Sequence, residues 1–361
     1  MERSILIAAG GTGGHLFPGI AVADEVRRRD AGARIVFVGT HRGLEGRLVP
    51  RAGYPLERLP ILPLNAVGFA RALRGVCALP WALVRAARLV VRLRPSAVLG
   101  VGGYAGGPVV LVAALLGVPT LVLEPNARPG FTNRVLRPFV RRAACAYEET
   151  LDYYGAKGVL TGNPVRGGFA SLPRKVRTTP MTLLAFGGSQ GSRILNETMT
   201  AALPHLKPER GNIRLFHQTG KADFDKVKEG YVQNGFPEAE VAPFFFDMAG
   251  YFEKSDLVVS RAGATTIAEL IVAQKAAVLV PFALASEDHQ VKNAAELERV
   301  DGAEVILEKD LTPRLLAERI LFYLKNPERI SAMERNLAVL KTEDPAGRIA
   351  ALCFELMREK G

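Results

Sequence analysis

The chain has 361 residues, 48% of them hydrophobic, with 47 Lys+Arg against 36 Asp+Glu and a net charge of +11. That length suits two domains with sizeable cores. Three cysteines, Cys77, Cys145 and Cys353, form no CxxC pair, which excludes a disulfide-stapled scaffold and points to a reducing compartment. The excess charge is one-sided: residues 1–163 hold 21 basic and 10 acidic residues, a balance of +11, while 164–361 hold 26 of each. Between Arg58 and Tyr147 there are twelve arginines and one acid, Glu124. Such a stripe suits an anionic partner: nucleic acid, acidic lipid or a phosphorylated substrate.

The chain starts a strand within a few residues, without the basic and apolar regions of a secretory leader, so none is expected. The strand Ile5–Ala9 runs into Gly10-Gly-Thr-Gly-Gly-His15 and then a helix from Pro18 to Arg29. A strand at Ile35–Val38 and a helix at Trp81–Leu93 follow. Ala97 to Leu123 is 27 residues without a charge, but six glycines, Pro108 and Pro119 break it. It parses as strand (Ala97–Val101), glycine loop (Gly102–Gly107), helix (Pro108–Leu116) and strand (Thr120–Leu123), not as a membrane span. A Gly- and Pro-rich linker then runs from Thr161 through Pro180. The second half repeats the first: a strand at Thr182–Phe186 enters Gly187-Gly-Ser-Gln-Gly191 and a helix at Ile194–Leu203. Strands at Leu257–Ser260 and Ala277–Val280 follow, with helices at Thr265–Ala273, His289–Val300, Pro313–Leu324 and Pro345–Glu359. This alternation predicts an α/β protein of two doubly wound parallel sheets with a ligand-binding cleft.

The glycine turns admit several chemistries. Gly100-Val-Gly-Gly-Tyr-Ala105, with Glu124 about twenty residues on, fits a dinucleotide fingerprint, although not in the first βα turn. Gly187–Gly191 fits the GxSxG nucleophile elbow of a serine hydrolase, with Ser189 as nucleophile; it equally fits a turn that bonds an anion. Asp223-Phe-Asp225 lies among lysines and reads as an exposed charged segment, so no metal site is expected. Ser260-Arg-Ala-Gly-Ala-Thr-Thr266 opens a helix whose N-terminus suits a phosphate, with Glu269 one turn further on. A nucleic-acid binder accounts for the basic half but not for the glycine turns, and the stripe has few interleaved aromatics.

Six motifs occur in the order found in the MurG family of N-acetylglucosaminyltransferases: Gly10–His15, Gly102–Gly107, Gly162-Asn-Pro-Val-Arg166, Gly187–Gly191, Ser260–Thr266 and Asp288-His-Gln290. The chain resembles that family from about residue 4 to about residue 340. The resemblance implies a GT-B fold, two Rossmann-like domains, with residues 1–163 plus the C-terminal helix 342–361 binding the acceptor and 164–341 the donor. It implies inverting transfer of GlcNAc from UDP-GlcNAc to the C4 hydroxyl of MurNAc in lipid I (undecaprenyl-diphosphate-MurNAc-pentapeptide), giving lipid II. The nearest alternative is a sugar-nucleotide transferase with another acceptor.

Within the reading that the resemblance implies, His15 is the candidate base, because an imidazole titrates near neutral pH; the alternative is a structural or diphosphate-contacting histidine. Gly10, Gly11, Gly102, Gly103 and Tyr104 then cradle the acceptor diphosphate. Ser189 and Gln190 face the nucleotide-sugar with Arg166 near its diphosphate, Phe245 stands beside uracil or is a plain core aromatic, and Ala264, Thr265, Thr266 and Glu269 hold the phosphates and ribose. His289, Gln290 and Asn293 bond the GlcNAc, with Thr12, Gly13, Gly14 and Asn126 approaching from the first domain. Glu124-Pro-Asn126 departs from the family's usual Glu-Gln-Asn, removing a backbone donor at Pro125. No metal or cofactor is expected. The arginines Arg71, Arg74, Arg85, Arg88 and Arg92, beside Leu64, Val67, Phe69, Leu83, Val84, Leu89, Val90 and Val91, suit an anionic bilayer. Peripheral attachment to the inner face of the plasma membrane follows, with cell-wall synthesis proteins as further partners.

Overall fold

The first apolar run forms strand β1 (Ser4–Ala9), and its side chains part to two cores. Ile5, Ile7 and Ala9 join one, Leu6 and Ala8 the other, as alternation along a strand requires. Both faces are covered, which is why these strands are continuously apolar. The computed structural model describes residues 3–359 except 42, 62–68, 174, 176 and 283–288, and it leaves the side chains of 69–78 and 104–105 undescribed. Leu64, Val67 and Asp288, and the side chains of Phe69, Arg71, Arg74, Cys77 and Tyr104, therefore lie outside the described residues.

The chain divides into two units: Met1–Arg166 with Thr342–Gly361, and Gly167–Lys341. In unit 1, β1, β2 (Arg34–Gly39), β3 (Leu56–Arg58), β4 (Ala97–Gly102), β5 (Thr120–Glu124), β6 (Arg142–Cys145) and β7 (Gly158–Leu160) make one parallel sheet in the order β3-β2-β1-β4-β5-β6-β7. Its helices are α1 (Gly13–Arg29), α2 (Glu45–Arg51), α3 (Phe69–Leu93), α4 (Gly103–Leu115), α5 (Phe131–Leu136) and α6 (Glu148–Tyr154). Unit 2 has β8 (Met181–Phe186), β9 (Ile213–Gln218), β10 (Glu240–Ala242), β11 (Leu257–Ser260), β12 (Ala277–Leu279) and β13 (Ala303–Val305), parallel in the order β10-β9-β8-β11-β12-β13. Helices α7 (Arg193–Leu206), α8 (Phe224–Gln233), α9 (Met248–Lys254), α10 (Ala264–Ala273), α11 (His289–Arg299), α12 (Pro313–Lys325) and α13 (Pro327–Asn336) belong to it.

The last helix, α14 (Pro345–Glu359), packs on α1 in unit 1. Its buried Ile349, Cys353 and Leu356 recur at helical spacing. Fully burying a side chain of Ile or Leu size contributes about 1.5–3 kcal/mol, so this stripe is a sufficient anchor. The buried thiols of Cys145 and Cys353 are free, and burial pushes them up to about 11 and about 12 respectively.

In both units the strand order reverses once, between β1 and β4 and between β8 and β11. A parallel sheet opens a crevice at the carboxyl ends of its strands where its order reverses. The two glycine turns of each half, Gly10–His15 with Gly102–Gly107, and Gly187–Gly191 with Ser260–Thr266, leave from those ends.

Candidate functional site

In unit 1 the glycine turns are shorter than expected. Gly13-Gly-His15 is already the first turn of α1, and Gly103–Gly107 opens α4, so Gly102–Gly107 is not a loop. The half-buried His15 imidazole lies against the second turn. A Cβ on Gly102 would stand 2.9 Å from His15 Cδ2, and one on Gly103 would stand 2.5 Å from the Gly10 carbonyl oxygen and 3.2 Å from His15 Nδ1. Both glycines have positive φ, 99° and 75°, so space and backbone together demand glycine here. His15 Nδ1 is 3.3 Å from Thr12 Oγ1, and the ring also hydrogen-bonds the Gly10 carbonyl. Burial holds the imidazole below its ordinary value against the opposing pull of that carbonyl, so it is neutral at pH 7 and able to accept a proton.

Two carboxylates shape this crevice. Glu124, fully buried at the end of β5, accepts from Asn126 N (3.2 Å), Asn126 Nδ2 (3.2 Å), Gly130 N (2.9 Å) and Asn133 Nδ2 (2.8 Å). Burial raises its pKa despite those four bonds. Glu124 is thus an internal tie, which removes it as the ribose partner of a dinucleotide fingerprint, and it spends one Asn126 amide hydrogen. Glu45, also fully buried, accepts from Gly11 N–H at 3.3 Å. That donor is therefore not presented to an acceptor diphosphate, contrary to the expectation for Gly11. Arg166, expected beside the donor diphosphate, lies with unit 1, its guanidinium 3.9 Å over the Phe17 ring on α1.

In unit 2 the turn after β8 is braced from the next strand. Gln218, at the end of β9, donates from Nε2 to the Gly188 carbonyl (2.9 Å) and accepts at Oε1 from Phe245 N–H (2.8 Å). Ser189 is half-buried and Gln190 exposed. Ser192 caps α7 by accepting from Leu195 N–H and also accepts from Arg261 Nε at 2.9 Å. Arg261, 6% exposed, donates further to the Val280 and Pro281 carbonyls and to Glu308 Oε2 at 2.6 Å. Helix α10 starts at Ala264 behind a glycine cap that offers no side chain, with Thr265, Thr266 and Glu269 buried in its first turns. Its N-terminal N–H groups and dipole suit an anion.

The other expected donor residues divide between surface and interior. Phe245 is 3% exposed and stacks on Tyr251 at 3.8 Å, so its ring packs inside the unit; Phe246 is the exposed neighbour. Gln290 Oε1 accepts from Ala262 N–H (3.2 Å) and Phe282 N–H (3.0 Å), tying two strand ends together. Asn293 is wholly buried and donates to the Ala262 carbonyl. His289 is half-buried in the first turn of α11. His217 has both ring nitrogens engaged, with Tyr231 Oη (2.9 Å) and Asn196 Oδ1 (3.1 Å), and burial lowers it to about 3. It offers Ser189 no base.

Residues 5–145 match the glycosyltransferase family 28 N-terminal domain, and residues 182–349 match the family 28 C-terminal domain. A Myxococcus xanthus protein named UDP-N-acetylglucosamine–N-acetylmuramyl-(pentapeptide) pyrophosphoryl-undecaprenol N-acetylglucosamine transferase is 45% identical over 98% of this chain and 93% of its own. An Anaeromyxobacter relative of the same name is 46% identical over 99% and 94%. The crystal structure of Acinetobacter baumannii MurG superposes with a TM-score of 0.75 at 29% identity, covering 98% and 99%. The chain belongs to the MurG family. Its two parallel-sheet domains are those of the GT-B fold.

Three features that frame this MurG-type site escaped the sequence reading. Glu45 lies in no glycine motif and had no periodic signal. Gln218 ends a strand that Arg214 and His217 disguise. Arg261 sits inside a quoted motif, but its partner Glu308 is 47 residues on, a pairing no local pattern discloses.

Proposed function

We propose that this protein transfers GlcNAc from UDP-GlcNAc to the C4 hydroxyl of MurNAc in lipid I, with unit 2 binding the donor and unit 1 the acceptor. The observation that carries the reading is the His15 imidazole held at the switch point of sheet 1 by Thr12, Gly10 and the second glycine turn. The acceptor C4 oxygen attacks the anomeric carbon, the C–O bond to UDP breaks on the opposite face, and the hydroxyl proton passes to His15. UDP departs with both bonding electrons, its diphosphate held by the N-terminus of α10. Gln218, Arg261 and Asn293 act through the turns they hold, and Gly102 and Gly103 shape the acceptor side. The direct test is transfer of labelled GlcNAc to a soluble lipid I analogue, with and without chelator. Stoichiometric UDP and a lipid II analogue are expected; transfer to other acceptors with none to this one overturns the reading.

The protein also docks on the anionic inner face of the plasma membrane through unit 1. Trp81, Val84 and Val91 on α3 are exposed, with the exposed Arg85 and Arg88 on the same helix and the Arg85 guanidinium 4.8 Å over the Trp81 ring. Basic side chains bordering exposed apolar ones suit such a surface. Leu89 and Val90 are core residues and leave the docking face, whereas Arg92 stays exposed and pairs with Glu57 at 2.8 Å. Among the described residues no helix is long and apolar enough to cross a membrane. Sedimentation with anionic vesicles at low salt and release at high salt are expected; equal binding to neutral vesicles overturns the electrostatic part.

A further inference from the structure

Strand β2 ends at Gly39, and Glu45 opens α2 a few residues later. This carboxylate has 0% exposure, a costly position unless its oxygens are bonded. They are: Oε1 accepts from the Thr40 backbone N–H and from Thr40 Oγ1–H, both at 2.6 Å, and Oε2 accepts from Gly11 N–H at 3.3 Å. Flanking glycines make the room. A Cβ on Gly39 would stand 2.6 Å from Glu45 Cγ, and one on Gly43 would overlap the carboxylate itself. Glu45 is therefore fixed to its own strand end by Thr40, and with its second oxygen it reaches into the neighbouring turn.

The residue it reaches is the one between the two that hold the imidazole. Gly10 supplies the carbonyl that the His15 ring bonds, and Thr12 supplies the hydroxyl 3.3 Å from Nδ1. Thr12 also receives the His15 and Leu16 backbone N–H groups at its carbonyl, closing the first turn of α1. Gly11, at φ 96°, is the pivot of this turn, and its N–H points at Glu45. From this arrangement we infer that Glu45 is a positioning residue of the transferase site: by holding Gly11 N–H it sets the conformation of Gly10–Thr12 and, through it, the orientation of His15. A second consequence concerns the acceptor. With a carboxylate already on Gly11, the anion on this turn is bound by other donors, and a negative charge sits behind the turn.

The inference rests on the proposed transfer reaction, and its test separates the two. Glu45→Gln keeps size and shape but brings an NH₂ donor against either Gly11 N–H or the Thr40 donors, whichever way the amide turns. Hydrogen exchange of the Gly10–Leu16 segment in the substrate-free protein is measured first; the variant is expected to exchange at least about tenfold faster there, with β4 and β5 unchanged. On a soluble lipid I analogue, kcat is expected to fall about tenfold or more, as for a misplaced catalytic group, while the KM for UDP-GlcNAc stays within about twofold. The acid limb of kcat/KM is expected to move up toward an ordinary imidazole as the ring gains water. A purely structural role predicts instead a lower melting temperature with the acid limb unmoved, and that outcome overturns the inference. So does unchanged exchange at the turn. If Glu45→Gln does not fold, Thr40→Val removes only the hydroxyl anchor and is expected to shift the same three readouts less far; no shift in any of them is equally decisive against Glu45. A wild-type chain that transfers nothing to lipid I refutes the reaction, while the exchange result still decides whether Glu45 sets the turn.

Discussion

At the switch point of sheet 1 the side chain standing on the turn is a histidine whose ring meets one hydroxyl, one carbonyl and two glycines that let it close down, while the turn itself is held by Glu45 through Gly11 N–H. At the switch point of sheet 2 the corresponding turn carries Ser189 and Gln190, and its supports are heavy: Gln218 across to Phe245, and Arg261 across to Ser192 and Glu308. The strand order around the two switch points is the same, although sheet 1 has seven strands and sheet 2 six, so the contrast at the turns comes from the turn sequences and the side chains around them. On the proposed roles, the turn that moves a proton needs a titratable ring shielded from water, and the turn that holds the highly charged diphosphate leaving group needs rigidity and an undisturbed helix N-terminus. The first set of contacts is tuned and the second is braced.

Removing the ring is the strongest way to test that division. His15→Ala is expected to lower kcat by about 10²–10⁴-fold, the usual contribution of a positioned general base, with UDP-GlcNAc binding nearly intact. Because burial lowers the imidazole from its ordinary value, the acid limb of the wild-type kcat/KM is expected to lie below 6.5, as the ring takes up a proton and ceases to be a base. Near-normal turnover of His15→Ala on a lipid I analogue removes the residue from the mechanism. An acid limb above 6.5 contradicts the buried niche.

The brace is tested by Gln218→Leu. The substitution leaves the Gly188 carbonyl and the Phe245 N–H facing each other without a partner. Each buried orphan costs about 1–3 kcal/mol, shared between stability and the geometry of the turn. The KM for UDP-GlcNAc and the calorimetric Kd for UDP are expected to rise about tenfold, with the acceptor KM unchanged. If acceptor and donor constants move together, the two turns are not separately specialised.

The fold was legible because its strongest signals are local. Continuous apolar runs such as Ile5–Ala9 and Thr182–Phe186 are the centres of the two sheets, and glycine turns mark where they stop. Edge strands were not legible: β3, β7, β10 and β13 are three residues each, and β9 carries Arg214 exposed among buried neighbours. The helix at Pro18 was expected to start there, yet it starts at Gly13, because the glycine turn winds directly into the helix. Site residues on the glycine motifs could be named from sequence. Their supports could not: Glu45 reaches Gly11 and Gln218 reaches Gly188 from the neighbouring strand end, Glu308 reaches Arg261 from two strands away, and the sequence separations of 34, 30 and 47 residues follow from strand order.

The effect most remote from the chemistry belongs to a residue that touches neither turn. His217 is buried between Tyr231 and Asn196, and Asn196 in turn bonds the Thr219 carbonyl and Asp223. Burial lowers the imidazole from 6.5 to about 3. The depressed value means the native state holds this ring neutral. Above pH 6.5 the unfolded chain also holds it neutral, and its contribution to stability is fully present. Below 6.5 the unfolded chain takes up a proton that the native state refuses, so the contribution is lost progressively down to about pH 3. The limiting slope is about 1.4 kcal/mol per pH unit for one proton. His217→Gln has no proton to gain, so hydrogen exchange on β9 is expected to accelerate less between about pH 6.5 and pH 5 in the variant than in the wild type. Equal acid sensitivity of β9 in variant and wild type would place the titrating group elsewhere in unit 2.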